Sequence, residues 1–465
     1  MVVGRAAARS PATMRKKTPG PSQLMELFLA VAGELGFASD RDVGALADVG
    51  PENVANWRSG TVREFKNQKF RAAVDNLTAQ LRALRVQAGR LEKSGVGHLH
   101  PLEIEEGSSP LDLQRQFRDR VGYDYLGHRF LYFEPQGALA WENLIKSGYE
   151  QDRWLVGVDE AAESWLSLAR EGAGHSRGPI ANALGLGRRD RPRGLDVISL
   201  GVGDGSKEVR IFRRLLRAEK EARLHLAWLT YAPVDVSIPL VLEAARAGRE
   251  VLLDDQGEEA VTRAVLPFCA DFEEGPLDFT RRLRTALEAT ADGLRLVLIL
   301  GNVLGNLRDE EMFVRQKLSR VVRPGDMLWI EVGLRPDSIE ADPLYGLTIK
   351  SDREETAAEA SRRLLLEGPY RRWAAATGRD APNLDSRVWV REDDDSARIP
   401  GSCNFCHDLI IKDERRVVTM LYSRRYKVDL LAAWWEGQGY AVEGIHRVKD
   451  SKGRVRVAHL LLRRR

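Results

Sequence analysis

Three glycines at alternate positions, Gly201, Gly203 and Gly205, stand in the stretch LGVGDGSKEV at residues 200–209. An apolar run, LDVISL, precedes them, and a helix-like run, RIFRRLLRAEKEA, follows. Strand, glycine turn and helix N-terminus together make a cradle for a ribose or a phosphate, because backbone N–H groups can approach the ligand where side chains are missing. The spacing is not GxGxxG, and no Lys-Ser/Thr pair of a P-loop follows. A dinucleotide fingerprint also wants an acid about 20 residues on. Here the next strand-like run, LHLAWLTY, reaches its acid only at Asp235, 30 residues past Gly205. A further apolar run leads to ADF at 270–272. Asp235 can accept both hydroxyls of a ribose, Asp271 an adenine amino group, and Phe272 can lie against the ring. A loop without a phosphate clamp, followed by acids after successive strands, suits a ligand with a ribose and a base but no phosphate. S-adenosylmethionine is the common one.

A second chemical pattern is CNFCH at 403–407. It spells a haem-attachment motif or half of a zinc site. Haem attachment requires export, and no second ligand pair lies nearby, so no metal site is expected. The pentapeptide reads instead as the start of a strand that continues through HDLIIKD. Three cysteines in 465 residues, with no signal peptide, point to a reducing cytoplasm.

Around these motifs the chain alternates. LDVISL, LHLAWLT, EVLLDD, RLVLIL and MLWIEVG are apolar runs separated by helical segments, the pattern of buried parallel strands. RRVVTMLYS and the segment 440–464 add strands, with DSKG at 450–453 as a hairpin turn. The fold expected is α/β, a doubly wound sheet with an antiparallel tail. Residues 1–24 are basic and lack acids; they read as a disordered tail or an over-long start, with transit-peptide composition as the alternative. Residues 25–92 read as helices. Within them ALADVGPENVANWRSG has helix-turn-helix spacing, with Val54 and Trp57 facing inward and Glu52, Asn53, Asn56 and Arg58 outward. DNA contact through 42–69, with Arg63, Lys66 and Lys69 near phosphates, stands beside simple packing or dimerisation. Composition is 43% hydrophobic and 30% charged with a net charge of +3, which says little about nucleic acid, and no run approaches the ~20 apolar residues of a membrane span.

LGVGDGSK, YAPVDVS at 231–237, ADF, LILGNVLGNL at 298–307 and RPGDMLWIEVGL at 323–334 carry a resemblance. In order and style they resemble the histidine-specific S-adenosylmethionine-dependent methyltransferase family, which trimethylates the α-amino group of histidine in ergothioneine biosynthesis. YxPxDVS with LGNxxGN is quite specific to it. The likeness covers about 195–335. It extends weakly to YSRRY at 422–426 and back to 132–150, which looks like the family segment over the active site. It implies a Rossmann-like class I methyltransferase sheet with S-adenosylmethionine as cofactor. Gly201 and Lys207 would contact the methionine moiety, with Gly203 in the same loop, Asp235 the ribose, and Asp271 with Phe272 the adenine. Asn306 would meet the amino and carboxylate end of the acceptor, while Tyr149 and Ser423 complete the acceptor side. Blander readings stand beside these: a solvated lysine, a helix cap at Asp235, a turn residue at Asn306.

The departures bear on substrate. The strand residue two before the first glycine, an acid or polar residue in methyltransferase loops, is Ser199. The family's Glu-x-Ser holds the imidazole, but Leu421 stands at the glutamate position. Phe133 replaces a tyrosine and Glu134 an aspartate. A lost buried carboxylate partner costs on the order of 1–3 kcal/mol of discrimination or more. The expectation is therefore a cytoplasmic methyltransferase acting on an amine of a small amino-acid-like metabolite, not free histidine. Its methyltransferase domain spans 194–465, under a helical region at 105–185. A helical insertion at 354–380, within about 336–400, caps the acceptor side, and Tyr132 and Tyr149 line the pocket. The alternative is a DNA-binding regulator that senses S-adenosylmethionine or a metabolite with a degenerate domain.

Overall fold

Residues 195–200, 294–299 and 327–333 are apolar without alternation, so both faces of those strands must be covered. In the computed structural model of the protein they lie near the middle of one sheet. The structure describes residues 29, 39–40, 51–59, 102–146, 151–168, 177–186, 193–222, 226–253, 262–277, 279–280, 293–338, 357–391, 399–449 and 453–465. The chain divides into two units, Met1–Gln87 and Ala88–Arg465. In the first, helix α1 (Pro51–Arg58) buries Val54 and Trp57 and exposes Glu52, Asn53, Asn56 and Arg58, with Arg58 Nε donating to Asp40 Oδ1 at 2.6 Å. The turn and first helix expected at 42–50, and positions 63, 66 and 69, lie outside the described residues.

Among the described residues, the second unit holds a nine-stranded sheet. Its strands are β1 (Glu103–Ile104), β2 (Leu195–Leu200), β3 (Trp228–Asp235), β4 (Thr262–Val265), β5 (Phe268–Cys269), β6 (Leu294–Ile299), β7 (Met327–Gly333), β11 (Tyr440–Lys449) and β12 (Val455–Arg464). The three strands between β7 and β11 in the chain, β8 (Leu384–Arg391), β9 (Cys403–Ile411) and β10 (Arg416–Arg425), form a separate antiparallel sheet. The large sheet runs β1-β5-β3-β2-β6-β7-β12-β11, with β4 also on β3. Pairing is parallel as far as β7, after which the β11–β12 hairpin closes the edge antiparallel. Side chains alternate between two cores: Ile198, Leu200, Val297, Ile299, Leu328 and Ile330 on one face, Leu195, Val197, Leu296, Leu298, Met327 and Trp329 on the other. Because β2 pairs with β3 on one side and β6 on the other, the connections part at its carboxyl end and leave a crevice there.

Two readings of the sequence change. EVLLDD was expected as a strand, yet residues 250–252 finish helix α8 of the series α2 (Pro110–Arg120), α3 (Arg129–Tyr132), α4 (Pro135–Lys146), α5 (Gln151–Trp165), α6 (Pro179–Ala183), α7 (Ser206–Ala222) and α8 (Ile238–Leu252). A short apolar run has no period long enough to separate strand from helix, and α8 buries Val241, Ala244, Ala245 and Leu252 as one stripe. The strand is instead β4 with β5, which still delivers ADF to the sheet end. The antiparallel tail also divides: RRVVTMLYS becomes β10 of the small sheet, and only the C-terminal hairpin extends the large one. DSKG lies outside the described residues except for Gly453.

The small sheet shares a core with α2, α3, α4 and helix α10 (Ala357–Ala376), through Phe117, Phe130, Leu365, Leu366, Leu409 and Met420. α5 and α6 pack instead on the large sheet through Val158, Trp165 and Ile180. The stretch 105–185, expected as one helical cover, is thus divided between two cores. A buried ion pair joins the lobes. Arg424 of β10, 0% exposed, binds Glu310, 1% exposed, in the turn Glu310–Met312 beyond helix α9 (Val303–Asn306), and Tyr426 Oη donates to the same carboxylate at 2.8 Å. Burial works against the guanidinium charge, but Glu310 holds its pKa above the ordinary value. Removing one member of such a pair strands the other charge. Glu310→Ala is expected to lower unfolding free energy by about 3–5 kcal/mol in chemical denaturation; an unchanged midpoint would show that the lobes are held elsewhere.

Candidate active site

The backbone of the glycine loop must turn in the left-handed region, with φ +70° at Gly201 and +60° at Gly203. Space decides as much as conformation. A Cβ on Gly203 would come within 2.7 Å of Trp141 Cη2, and one on Gly201 within 2.9 Å of Val303 Cγ2. The loop opens at the β2 carboxyl end onto a cavity of about 240 Å³. Gly201, Gly203, Lys207, Asp235, Phe272, Asn306 and Ser423 all line it, together with Tyr132, Trp141 and Leu421. Tyr149 lies outside the described residues.

Asp271 is brought close but does not line the cavity. Its Oδ2 is bound by the buried Arg129, and its Oδ1 accepts the Glu273 and Glu274 N–H groups at 3.1 Å each. That carboxylate holds its own loop in shape. Phe272, next along, turns its ring into the cavity and lies 6.4 Å, centroid to centroid, from His128. His128 also lines the cavity, and burial pushes its pKa down to about 4. Of the two adjacent aromatics considered above, Tyr132 reaches the cavity while Phe133 is buried in the small lobe's core. Glu134 pairs with Arg372 of α10 and so ties the covering helices together.

Asp235, 7% exposed, ends β3 and accepts the Ser237 N–H at 3.0 Å and the Gly203 N–H at 3.4 Å. Burial raises its pKa to about 6, against the pull of those N–H groups. It thus fixes the glycine loop from across the switch point. Lys207 is bound by Glu331 of β7, whose carboxylate also accepts the Gly301 N–H, so its ammonium is positioned and not simply solvated. A further carboxylate escaped sequence reasoning. Ser199, at the position where an acid or polar residue is usual, donates to Glu208 Oε1 of α7 at 2.6 Å. Glu208 lines the cavity, its Oε2 lacks a hydrogen-bond partner among the described residues, and burial raises its pKa to about 7. The acid is supplied from the helix instead of the strand, nine residues on.

On the opposite side, Asn302, with φ +61°, accepts the Gly333 N–H at 2.9 Å, and its Nδ2 lies 3.5 Å from Ser423 Oγ. Ser423 Oγ accepts from Arg425 at 2.9 Å. Leu421, Ser423 and Arg425 share one face of β10, and His407 of β9 lies directly opposite Leu421. His407 was weighed as part of a haem or zinc motif and then read as part of a strand, not as a cavity residue. No local signal in the sequence says which strand it pairs with. Cys403 and Cys406, three apart on β9, point to opposite faces, so the two thiols do not converge. Among the described residues no group of His, Cys, Asp and Glu is gathered as for a metal ion.

Residues 179–341 match the family described as histidine-specific methyltransferase, SAM-dependent. The match spans about a third of the chain. That family uses S-adenosylmethionine, and the residues here fit that group: a glycine cradle that a Cβ would fill, and a buried carboxylate, Asp235, at its rim. No curated protein matches the chain. Among solved structures, it is similar to the Burkholderia thailandensis 1,6-didemethyltoxoflavin-N1-methyltransferase, at 11% identity over 70% of this chain and 87% of that one, TM-score 0.31. It is also similar to the magnesium protoporphyrin IX methyltransferase of Synechocystis PCC 6803, at 13% over 72% and 97%, TM-score 0.33. Likenesses this remote carry neither substrate nor mechanism. No described helix is long and apolar enough to cross a membrane.

Gly203→Ala tests the cradle. A left-handed alanine costs about 1–2 kcal/mol, and the Trp141 ring must also move. Trp141→Leu should relieve the second part only, so thermal melts of a double-mutant cycle are expected to show favourable coupling. Strict additivity would mean that the ring does not limit the loop.

Proposed function

We propose that this domain transfers the methyl group of S-adenosylmethionine to an amine of a small amino-acid-like acceptor other than free histidine. The observation that carries the reading is Leu421. It lines the cavity at the position where the family pattern has the imidazole-binding glutamate, and no carboxylate of β9, β10 or α10 lines the cavity among the described residues. In this reading Asp235 takes the ribose, Phe272 and His128 flank the adenine, and Gly201, Gly203 and Lys207 surround the methionine moiety. Asp271 acts on the adenine loop through its backbone partners. Asn306 and Ser423 hold the polar end of the acceptor.

The cofactor supplies a methyl group bonded to a positive sulfur. The chain's task is alignment, which can contribute roughly 7–11 kcal/mol when the reacting atoms are held in line. An ammonium acceptor must also lose its proton before it can attack. The apolar side chains of Trp141, Leu144 and Leu366 around the cavity disfavour the charged amine by desolvation, which helps that loss. Release of S-adenosylhomocysteine by the purified protein with a panel of amines is the direct test. Efficient trimethylation of free histidine would overturn the reading.

Two variants sharpen it. A ribose diol donates to the ionised carboxylate, so cofactor binding should weaken as pH falls through the Asp235 pKa of about 6. Calorimetric affinity for S-adenosylhomocysteine is expected to drop about tenfold from pH 7 to pH 5. In Asp235→Asn it should be weaker at pH 7 and fall less. The same slope in that variant would remove Asp235 from the ribose site. Leu421→Glu restores an acceptor for an imidazole N–H and should tighten histidine binding about tenfold; no change would mean that residue 421 does not face the acceptor.

A further inference from the structure

His407 is 3% exposed, lines the cavity, and neither of its ring nitrogens has a hydrogen-bond partner among the described residues. A buried imidazole left without partners loses hydrogen bonds it would have made to water, so such groups normally find one. Two guanidinium groups, those of Arg362 on α10 and Arg425 on β10, line the same cavity and act on this ring electrostatically. The carboxylates lining the cavity, Asp204, Glu208 and Asp235, all belong to the glycine loop, the start of α7 and the end of β3. The wall formed by β9, β10 and α10 therefore presents two guanidinium groups and an idle N–H donor, and among the described residues none of its carboxylates lines the cavity.

The cross-strand register makes this more pointed. His407 lies directly opposite Leu421, on the same face of the small sheet. Where the family pattern places an acid to receive an imidazole, this chain places a leucine and, beside it, an imidazole of its own. The polarity of the pair is reversed: the protein supplies the ring and the acid must come from outside.

Resting on the methyltransferase reading above, we infer that His407, with Arg362 and Arg425, binds an anionic group of the amine acceptor, a carboxylate or a phosphate. His407 is then a specificity residue that touches substrate through a ring N–H. Burial and the two guanidinium groups hold the ring neutral, with a pKa of about 3, and a neutral imidazole keeps one donor for an anion. Arg425 is already braced on Ser423 Oγ, which fixes its charge at this wall.

The test is calorimetric binding of acceptors to the full chain loaded with S-adenosylhomocysteine, followed by S-adenosylhomocysteine release with S-adenosylmethionine present. The panel is L-glutamate and O-phospho-L-serine, with L-glutamine and L-serine as their neutral counterparts, and L-histidine. At least one anionic amine should bind tenfold or more tightly than its neutral counterpart, and which of the two wins separates carboxylate from phosphate. His407→Phe should abolish that preference while leaving S-adenosylhomocysteine affinity unchanged, and His407→Gln should keep most of it. Equal binding of charged and neutral partners, tightest binding of histidine, or an unchanged preference in His407→Phe overturns the inference. Anionic binding without turnover would count against the catalytic reading and leave this one standing. Failure to bind S-adenosylhomocysteine at all would remove the methyltransferase reading, and with it this one.

Discussion

A guanidinium with no access to water must have its charge answered from within, and Arg424 has its answer in Glu310. The two belong to different lobes: Arg424 to the last strand of the small sheet, Glu310 to the turn after the LGNVLGNL segment. With Tyr426 and the Leu307 carbonyl oxygen as further partners, the pair fixes where β10 meets the end of the large sheet. Everything on the cavity-facing side of β10 inherits that position, including Leu421, Ser423 and Arg425. The cavity is the space left when that contact is satisfied.

The walls so assembled differ in charge. The wall from β2, β3 and α7 carries Asp204, Glu208 and Asp235, two of them with pKa values raised toward neutrality by burial. The facing wall carries Arg362, His407 and Arg425. Lys207 also lies on the first wall but is bound by Glu331, while the two guanidinium groups of the cavity stand across from its acids. A ligand with a diol at one end and an anion at the other would find complementary partners at both.

Chemistry can also move along a chain without leaving its place in space. The strand position two before the first glycine, Ser199, is joined by Glu208 from the first turn of the following helix, because a strand-turn-helix folds those two positions back together. Lys207, one residue earlier, reaches Glu331 across the switch point instead. Adjacent helix positions point about 100° apart, so neighbours in sequence serve different walls.

Local regularities were legible in the sequence alone. Uninterrupted apolar runs mark buried strands, alternate glycines mark a turn with no room for side chains, and a helix follows; these are short-range properties, and β2, β6, β7, the loop and α7 lie where they were expected. The Asp235, Phe272, Asn306 and Ser423 positions also come to the cavity, since each follows a strand end or lies on a strand. Other features depended on contacts between distant segments. Residues 250–252 finish a helix because its apolar side could be buried against β3 and its neighbours. Asp271 turned from the cavity because Arg129, 142 residues earlier, claimed its carboxylate. Tyr132 lines the cavity as expected, while Phe133, just past α3, is buried in the small lobe's core. His407 came to face Leu421 because the register of β9 on β10 is set by a pairing that neither strand encodes by itself. Periodicity can tell that a residue is buried; only the packed structure decides what it is buried against.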